Sequence, residues 1–177
     1  MPVPLIWLGA AVLGAYTANI ASTAYLKRKQ IVDAMPGESH HYTRPVNGSI
    51  VTCGIYGVLD HTGIWVDGNI YELSGRGLVR CVSPERFLGE RTGHHMYIAC
   101  DPFNNALFNM QAAKTAQSLL FSTLDYHLLS QNCHKFVAEV LSEGQHVDIT
   151  SFSDLNSFLN IFFNSVIRWN LTQINFR

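Results

Sequence analysis

Charged residues are scarce in this sequence. Asp, Glu, Lys and Arg make up 14% of the 177 residues, and the formal net charge is -1. An average soluble domain has about 25% charged residues. A protein that binds nucleic acid needs a clustered basic surface, so the composition gives no support for that class of partner. The length suits one domain with an appendage.

Cysteine is sparse too, and none of the four cysteines forms a C-x-x-C pair. This spacing argues against a disulfide framework or a zinc finger and favours a reducing compartment. Three of them lie in strand-like surroundings and are predicted to be buried packing residues: Cys53, Cys81 and Cys100. Histidines are more frequent, but His94, His95 and His127 lack partners at the fixed spacing of a metal site. We therefore expect no metal and no cofactor.

A long uncharged segment opens the chain. Residues 4–26 contain no charged side chain, and a basic cluster follows at residues 27–29. About 20 apolar residues are enough to cross a bilayer as a helix, and a basic cluster stays on the cytoplasmic side. Residues 1–29 are therefore predicted to form a hydrophobic, membrane-anchor-like helix, with the rest of the chain cytoplasmic. Polar residues within the segment favour the alternative, a buried helix of a soluble protein: Thr17, Asn19, Ser22 and Thr23.

The rest of the chain divides into three parts. Residues 30–47 contain Pro36, Gly37 and Pro45, which break any period, and are predicted to be a linker. Residues 48–145 alternate between strand-like and helix-like patterns, as in an α+β domain. Residues 146–177 are predicted to be a helical extension, with one amphipathic helix over 151–169.

The centre of residues 61–73 predicts a β-hairpin. Asp67-Gly68 favours a two-residue turn, because both positions need a positive φ. With that turn, Val66 pairs with Asn69, and His61 and Glu72 project from the same face as diagonal neighbours about 7 Å apart.

A second pattern places a cysteine at the start of a helix. From Cys133, apolar residues recur at the spacing of one helical face: Phe136, Val137, Val140 and Leu141. Gly144 is typical of the position after the last turn, and Asn132 or Ser130 can cap the start. A thiol in the first turn has its pKa lowered by the helix dipole.

These residues together have the chemistry of an activated nucleophile. Cys133 is the candidate nucleophile, His61 the general base and Glu72 the group that orients the imidazole. Backbone N–H groups at the helix start can hold an oxyanion. The further candidates for substrate or oxyanion contacts are Gln131, Asn132 and Tyr56.

Two segments about sixty residues apart also resemble the conserved boxes of a known family. DHTGIWVDGNIYEL contains His61, and SQNCHKFVAEVLSEG contains Cys133. Together they resemble the histidine box and the Asn-Cys box of the lecithin–retinol acyltransferase-like family, the circularly permuted branch of the NlpC/P60 papain-like superfamily. The resemblance covers about residues 48–145. It implies a permuted papain-like domain, with a small antiparallel sheet packed on helices and with His61 and Cys133 in the catalytic places.

The sequence departs from the family pattern at two places. Acyltransferase members usually carry a second histidine at the third catalytic position, where this chain has Glu72. They often read Asn-Cys-Glu-His-Phe, where this chain has His134 and Lys135 before Phe136. Because the superfamily accepts acidic groups at the third place, the resemblance supports cysteine catalysis more strongly than acyl transfer.

Three functions remain as alternatives. The first is a thiol hydrolase or acyltransferase that acts on lipid esters through an acyl-thioester at Cys133, with a membrane and a lipid as partners. The second is an amidase or peptidase of the NlpC/P60 type, acting on cell-wall or protein amide bonds, for example as a secreted toxin or effector. The third is a membrane-tethered binding module without activity.

Overall fold

The computed structural model describes residues 5–55, 59–89, 91, 93–125, 132–145 and 147–174. Within these ranges, five helices and eight strands form an α+β fold. The helices are α1 (Leu5–Arg28), α2 (Pro84–Gly89), α3 (Met110–Ser118), α4 (Cys133–Leu141) and α5 (Phe152–Phe163). The strands are β1 (Val32–Ala34), β2 (Tyr42–Thr43), β3 (Ile50–Ile55), β4 (Leu59–Val66), β5 (Asn69–Leu73), β6 (Val79–Val82), β7 (Met96–Cys100) and β8 (Ile167–Thr172).

All eight strands join one mixed sheet. Its order is β1-β8-β7-β3-β4-β5-β6, and β2 also pairs with β8. β1 and β2 run parallel to β8, while the other neighbours pair antiparallel. The sheet is therefore not the small antiparallel sheet that was expected, because segments from both ends of the chain extend it. The circular permutation of a papain-like domain stays a prediction.

The β4–β5 hairpin forms with the predicted register. Asp67 and Gly68 make the turn, with φ of 49° and 81°, and Val66 pairs with Asn69. Side chains of a strand alternate between the two faces of the sheet. The hairpin therefore presents one set of side chains to each of two buried clusters.

Helix α4 is fixed against the larger of these clusters. Ile64 and Val66 of β4 belong to it, whereas Trp65 lies in the smaller cluster with Phe87 of α2. Fully burying a large apolar side chain stabilises the fold by about 1.5–3 kcal/mol. Four such side chains of α4 are at most 2% exposed: Phe136, Val137, Val140 and Leu141. This packing sets where the first residue of the helix, Cys133, lies relative to β4.

The prediction of a linker over residues 30–47 is wrong. This segment contains β1 and β2, with Val32 paired to Ile167 and Tyr42 paired to Leu171 of β8. Just before it, Leu26 at the end of α1 is fully buried in the larger cluster. Strands of two or three residues are too short to show a hydrophobic period, and their partner lies at the other end of the chain. The sequence pattern therefore contained no signal for them.

The prediction of one helix over residues 151–169 is wrong beyond residue 163. α5 ends at Phe163 and is capped by Asn164, which has the left-handed conformation with φ and ψ both 48°. Asn is one of the few residues other than Gly that take this conformation readily. The chain then forms β8, which lies between β1 and β7. The C-terminal segment is thus part of the sheet and not a helical extension alone.

At the N-terminus, α1 runs from Leu5 to Arg28. Lys27 in its last turn pairs with Glu38, with 2.6 Å between Nζ and Oε1. Of the helices in the described part of the chain, none is long and apolar enough to cross a membrane.

Candidate active site

Cys133 opens α4, and the residue before it caps the helix. Oδ1 of Asn132 accepts hydrogen bonds from the backbone N–H groups of His134 and Lys135, both at 3.0 Å. Its Nδ2 donates to the Thr150 carbonyl at 2.9 Å. Asn is among the strongest capping residues, because its short side chain reaches N–H groups that lack helical partners. Cys133 is therefore held at the positive end of the helix dipole, which favours a thiolate.

Removing this cap is expected to affect both stability and the thiol. Asn132→Ala should lower the free energy of unfolding by about 1–2 kcal/mol and raise the pKa of Cys133, because the helix start frays. Asn109 caps α3 in the same way, accepting from Gln111 and Ala112. Asn109→Ala should therefore cost similar stability and leave the Cys133 pKa unchanged. Denaturant unfolding and the ultraviolet absorbance of the thiolate as a function of pH measure the two effects. An equal pKa in both variants would contradict the role given to this helix start.

His61 and Glu72 meet across the hairpin. Nε2 of His61 lies 2.7 Å from Oε2 of Glu72, as the predicted register of β4 and β5 requires. Gly63 allows β4 and β5 to lie close together here: a Cβ atom at this position would lie 2.4 Å from the Ile70 side chain and 2.9 Å from the Tyr71 carbonyl oxygen. Because Nε2 is engaged by the carboxylate, Nδ1 is the nitrogen that is left for the thiol.

Glu72 is the centre of a buried ionic network. It is fully buried, and its Oε1 accepts from Arg80 Nε at 2.7 Å while its Oε2 accepts from Arg91 at 2.9 Å. Burial raises the pKa of this carboxyl, but the hydrogen bond and charge of His61 and the two guanidinium charges outweigh burial and lower the pKa to about 2. Glu72 is therefore ionised at neutral pH and can orient His61 and stabilise its protonated form.

The thiol and the imidazole shift each other's pKa. Burial raises the pKa of Cys133, but the charges of His134 and His61 and the hydrogen bonds from both outweigh burial and place the pKa well below its ordinary value. Burial lowers the pKa of His61, but the charge of Cys133 and hydrogen bonds to Cys133 and Glu72 raise it overall. A lowered thiol pKa beside a raised imidazole pKa is typical of a thiolate–imidazolium pair.

His134 is a second histidine at the thiol, and the sequence patterns did not identify it as a site residue. Its Nδ1 lies 3.1 Å from Thr62 Oγ1 and 3.9 Å from Cys133 Sγ. Its ring also contacts Phe152, with 5.5 Å between centroids. In the sequence, His134 stood out only as a departure from the family box. Its position directly after the first residue of a capped helix was a signal that could have identified it. Arg80 and Arg91 were missed as well.

Asp60 connects the thiol to a cavity of about 470 Å³. Its backbone carbonyl oxygen lies 3.9 Å from Cys133 Sγ, and the residue lines the cavity. Burial raises the pKa of its carboxyl, as does the charge of Cys133, while the charge of His134 lowers it; the result is a pKa of about 6. Other cavity-lining residues come from α1, β1–β2 and β7: Asn19, Thr23, Met35, Glu38 and Tyr97.

The remaining predicted residues have different outcomes. Tyr56 and Gln131 lie outside the described residues. Cys53 and Cys100 are buried as predicted, but Cys81 is exposed, because it lies on β6, the strand at the edge of the sheet. Burial raises the pKa of Cys53 to about 12, which makes it unsuitable as a nucleophile at neutral pH.

Comparison of the chain with models of protein families, with curated proteins and with solved structures finds no match. What can be said of this protein's class therefore comes from its fold and its site. It is an α+β protein in which a cysteine at the start of a helix, a histidine on a strand and a buried glutamate lie together.

Proposed function

We propose that this protein is a cysteine-dependent hydrolase or acyltransferase that forms an acyl-thioester at Cys133. One observation carries the proposal: α4 and the β4–β5 hairpin, which are separate elements, bring a cysteine, a histidine and a glutamate together. Cys133 opens the capped helix α4, and despite burial the charges of His134 and His61 lower the pKa of its thiol. The β4–β5 hairpin supplies His61, whose Nε2 lies 2.7 Å from Oε2 of Glu72. Nucleophile, base and orienting group are the three parts that covalent acyl chemistry needs.

The chemistry proceeds in two steps. The Cys133 thiolate attacks a carbonyl carbon, and the tetrahedral intermediate collapses when protonated His61 gives its proton to the leaving alcohol or amine. A water or another nucleophile then loses a proton to His61 and attacks the thioester, which releases the acyl group and regenerates the Cys133 thiolate beside protonated His61. Asn132 already occupies the N–H groups of His134 and Lys135. The backbone N–H of Cys133 itself is therefore the first candidate for holding the oxyanion.

A lipid ester is the substrate that we propose first. α1 and α5 contact each other, and both carry exposed apolar side chains: Ile20, Tyr25, Ile161 and Phe162. α1 also supplies Asn19 and Thr23 to the wall of the cavity at Asp60. Exposed apolar side chains on a helix that also lines the cavity, and on the helix it contacts, suit a substrate that is taken from a lipid surface.

An amide substrate is the second candidate, and the polar groups among the lining residues of the same cavity favour it. Asp60, Glu38 and the two histidines His94 and His95 face this space. Such groups can bind the backbone and charged ends of a peptide, whereas a long acyl chain needs an apolar wall. Thiol chemistry at Cys133 would be the same for an amide, with an amine as the leaving group.

Turnover assays on the full chain distinguish the candidates. A truncation at residue 30 is unsuitable, because Leu26 belongs to the core. The protein is offered phospholipid vesicles and, separately, muropeptides and peptides, beside Cys133→Ala and His61→Gln variants. Release of fatty acid by the unmodified chain alone supports the ester function, and peptide cleavage alone supports the amide function. Thioester trapping without turnover on any substrate would contradict both the ester and the amide function. If Cys133 shows no reactivity, the result would favour a binding module without activity.

A further inference from the structure

We propose that His134 is a positioning residue for the nucleophile, whose Nδ1–H donates to the Cys133 thiolate while His61 alone transfers protons. The two imidazoles reach the sulfur from different elements, His61 from β4 and His134 from α4 itself. The inference deepens the proposed function and rests on it only for the effect on turnover.

Geometry gives His134 a fixed place beside the sulfur. Its Nδ1 is 3.9 Å from Cys133 Sγ and 3.1 Å from Thr62 Oγ1, and the residue is 7% exposed. Its backbone N–H is bound by the Asn132 cap, and its ring contacts Phe152 of α5. Because backbone, ring face and Nδ1 are all in contact, the imidazole has little freedom to turn away from the thiol.

The charges around His134 favour a donor role. From β4, the Asp60 carboxyl and the His61 imidazole face this region, and from α4 the Cys133 thiol does. The residue that α5 contributes to the contact, Phe152, is uncharged. Asp60 and a thiolate are both anionic, so an N–H group of His134 directed at them is favourable, whereas an unprotonated Nδ1 facing the thiolate would repel it.

The division of labour follows from the partners of each ring. Glu72 accepts from Nε2 of His61 at 2.7 Å, which stabilises the imidazolium that forms when His61 takes a proton. Nδ1 of His134 instead has the neutral hydroxyl of Thr62 as its second partner. His134 therefore has the arrangement of a hydrogen-bond donor to a stable anion, and His61 that of a proton carrier.

The test compares three variants in a Cys81→Ser background, which removes the exposed thiol. His134→Leu removes the donor, His134→Asn restores an N–H near the place of Nδ1, and His61→Gln removes the base but can still donate to Glu72. The thiolate is titrated by its ultraviolet absorbance, with Cys133→Ser as the blank. Turnover is measured as a function of pH on whichever substrate the assays above identify.

We expect the thiol pKa to rise in His134→Leu and to return toward the original value in His134→Asn. A pKa that is higher by one reduces the thiolate fraction about tenfold at pH values below it. In His134→Leu, kcat/KM should therefore fall about tenfold or more at acidic pH and recover at alkaline pH. His61→Gln should lose turnover at every pH. A variant that merely disturbs the fold would not produce this pH-dependent recovery.

Two results would overturn the inference: an unchanged thiol pKa in folded His134→Leu, or no difference between the Leu and Asn variants. Circular dichroism and thermal unfolding establish that the variants are folded. Failure of the proposed function looks different, because the thiol titration needs no substrate. If the thiol pKa shifts in His134→Leu but the protein turns over no ester or amide, the result would support the contact between His134 and the thiol. It would contradict the proposed enzymatic function.

Discussion

Replacing Cys133 with alanine is expected to lower kcat by about 10⁴-fold or more, because removing the nucleophile of a covalent mechanism leaves only binding and oxyanion stabilisation. The side chain is 5% exposed, and losing one buried sulfur costs little folding free energy compared with this effect. The protein should therefore remain folded and bind its substrate. Single-turnover kinetics and mass spectrometry of the trapped acyl-thioester measure the two parts of this prediction.

Cys100→Ala is the matched control for that substitution. Cys100 is likewise a buried free cysteine, and burial raises the pKa of its thiol. It lies on β7, away from His61 and Glu72, so the variant should keep the activity and the acyl adduct of the unmodified chain. Equal activity of the Cys133→Ala variant and the unmodified chain would reject the nucleophile and, with it, the thioester mechanism.

The local parts of the site could be predicted because each depends on short-range rules. Asp67-Gly68 sets the register of the hairpin, and that register alone brings His61 to Glu72. The N-cap preference of Asn places the next residue in the first helical turn, which positions Cys133. In both cases, neighbouring residues determine the geometry, so no knowledge of the rest of the fold was needed.

Arg80 was missed although a local signal existed. Glu72 pairs with Arg80 in the β5–β6 ladder, and the Gly75–Gly77 segment between these strands marks a turn. Applying the same register argument to this second hairpin would have placed Arg80 opposite Glu72. Arg91 has no comparable signal, because it follows α2 in an irregular segment and reaches Glu72 only through tertiary folding.

Only one end of the sheet could be predicted. β3 to β6 are neighbours in the sheet, and a strand pattern with short turns can indicate such neighbours. β8 inserts between β1 and β7, and β1 and β8 come from opposite ends of the chain. Such a pairing depends on the free energy of the whole fold. Strands of two or three residues are also too short to show a periodic pattern that would predict it. The predictions of a linker and of a helical extension failed for the same reason. β1 and β2, in the predicted linker, pair with β8, in the predicted extension.

Glu72→Gln is expected to lower kcat by about 10³- to 10⁴-fold, since the neutral amide no longer holds His61 in the right tautomer. The contacts of the carboxylate explain why no orientation of the amide can replace it. Oε2 accepts from both His61 and Arg91, and Oε1 accepts from Arg80. An NH₂ group in place of Oε2 would donate to His61 Nε2 and leave the proton on Nδ1. In place of Oε1, it would face the donors of Arg80.

The same substitution is expected to destabilise the protein by up to about 3–5 kcal/mol, because it leaves the partly buried guanidinium charges of Arg80 and Arg91 without their counter-ion. The pKa of Glu72 is lowered from 4.5 to about 2 by folding, so its stabilising contribution is present above pH 4.5 and is lost as the pH falls toward 2. The difference in unfolding free energy between the unmodified chain and Glu72→Gln should accordingly be largest at neutral pH and shrink across that interval. Urea unfolding at several pH values measures it.

Arg80→Gln separates the positioning effect of Glu72 from its effect on stability. This variant removes the partner of Oε1, whereas the 2.7 Å contact between Oε2 and His61 remains. We expect a smaller loss of stability than for Glu72→Gln, because the carboxylate keeps His61 and Arg91 as partners, and a much smaller fall in kcat. If both variants lose kcat in proportion to their loss of stability, Glu72 acts only through the fold. A fall in kcat for Glu72→Gln that is out of proportion to its loss of stability means that the carboxylate acts on the imidazole, since Arg80→Gln keeps the contact between Oε2 and His61.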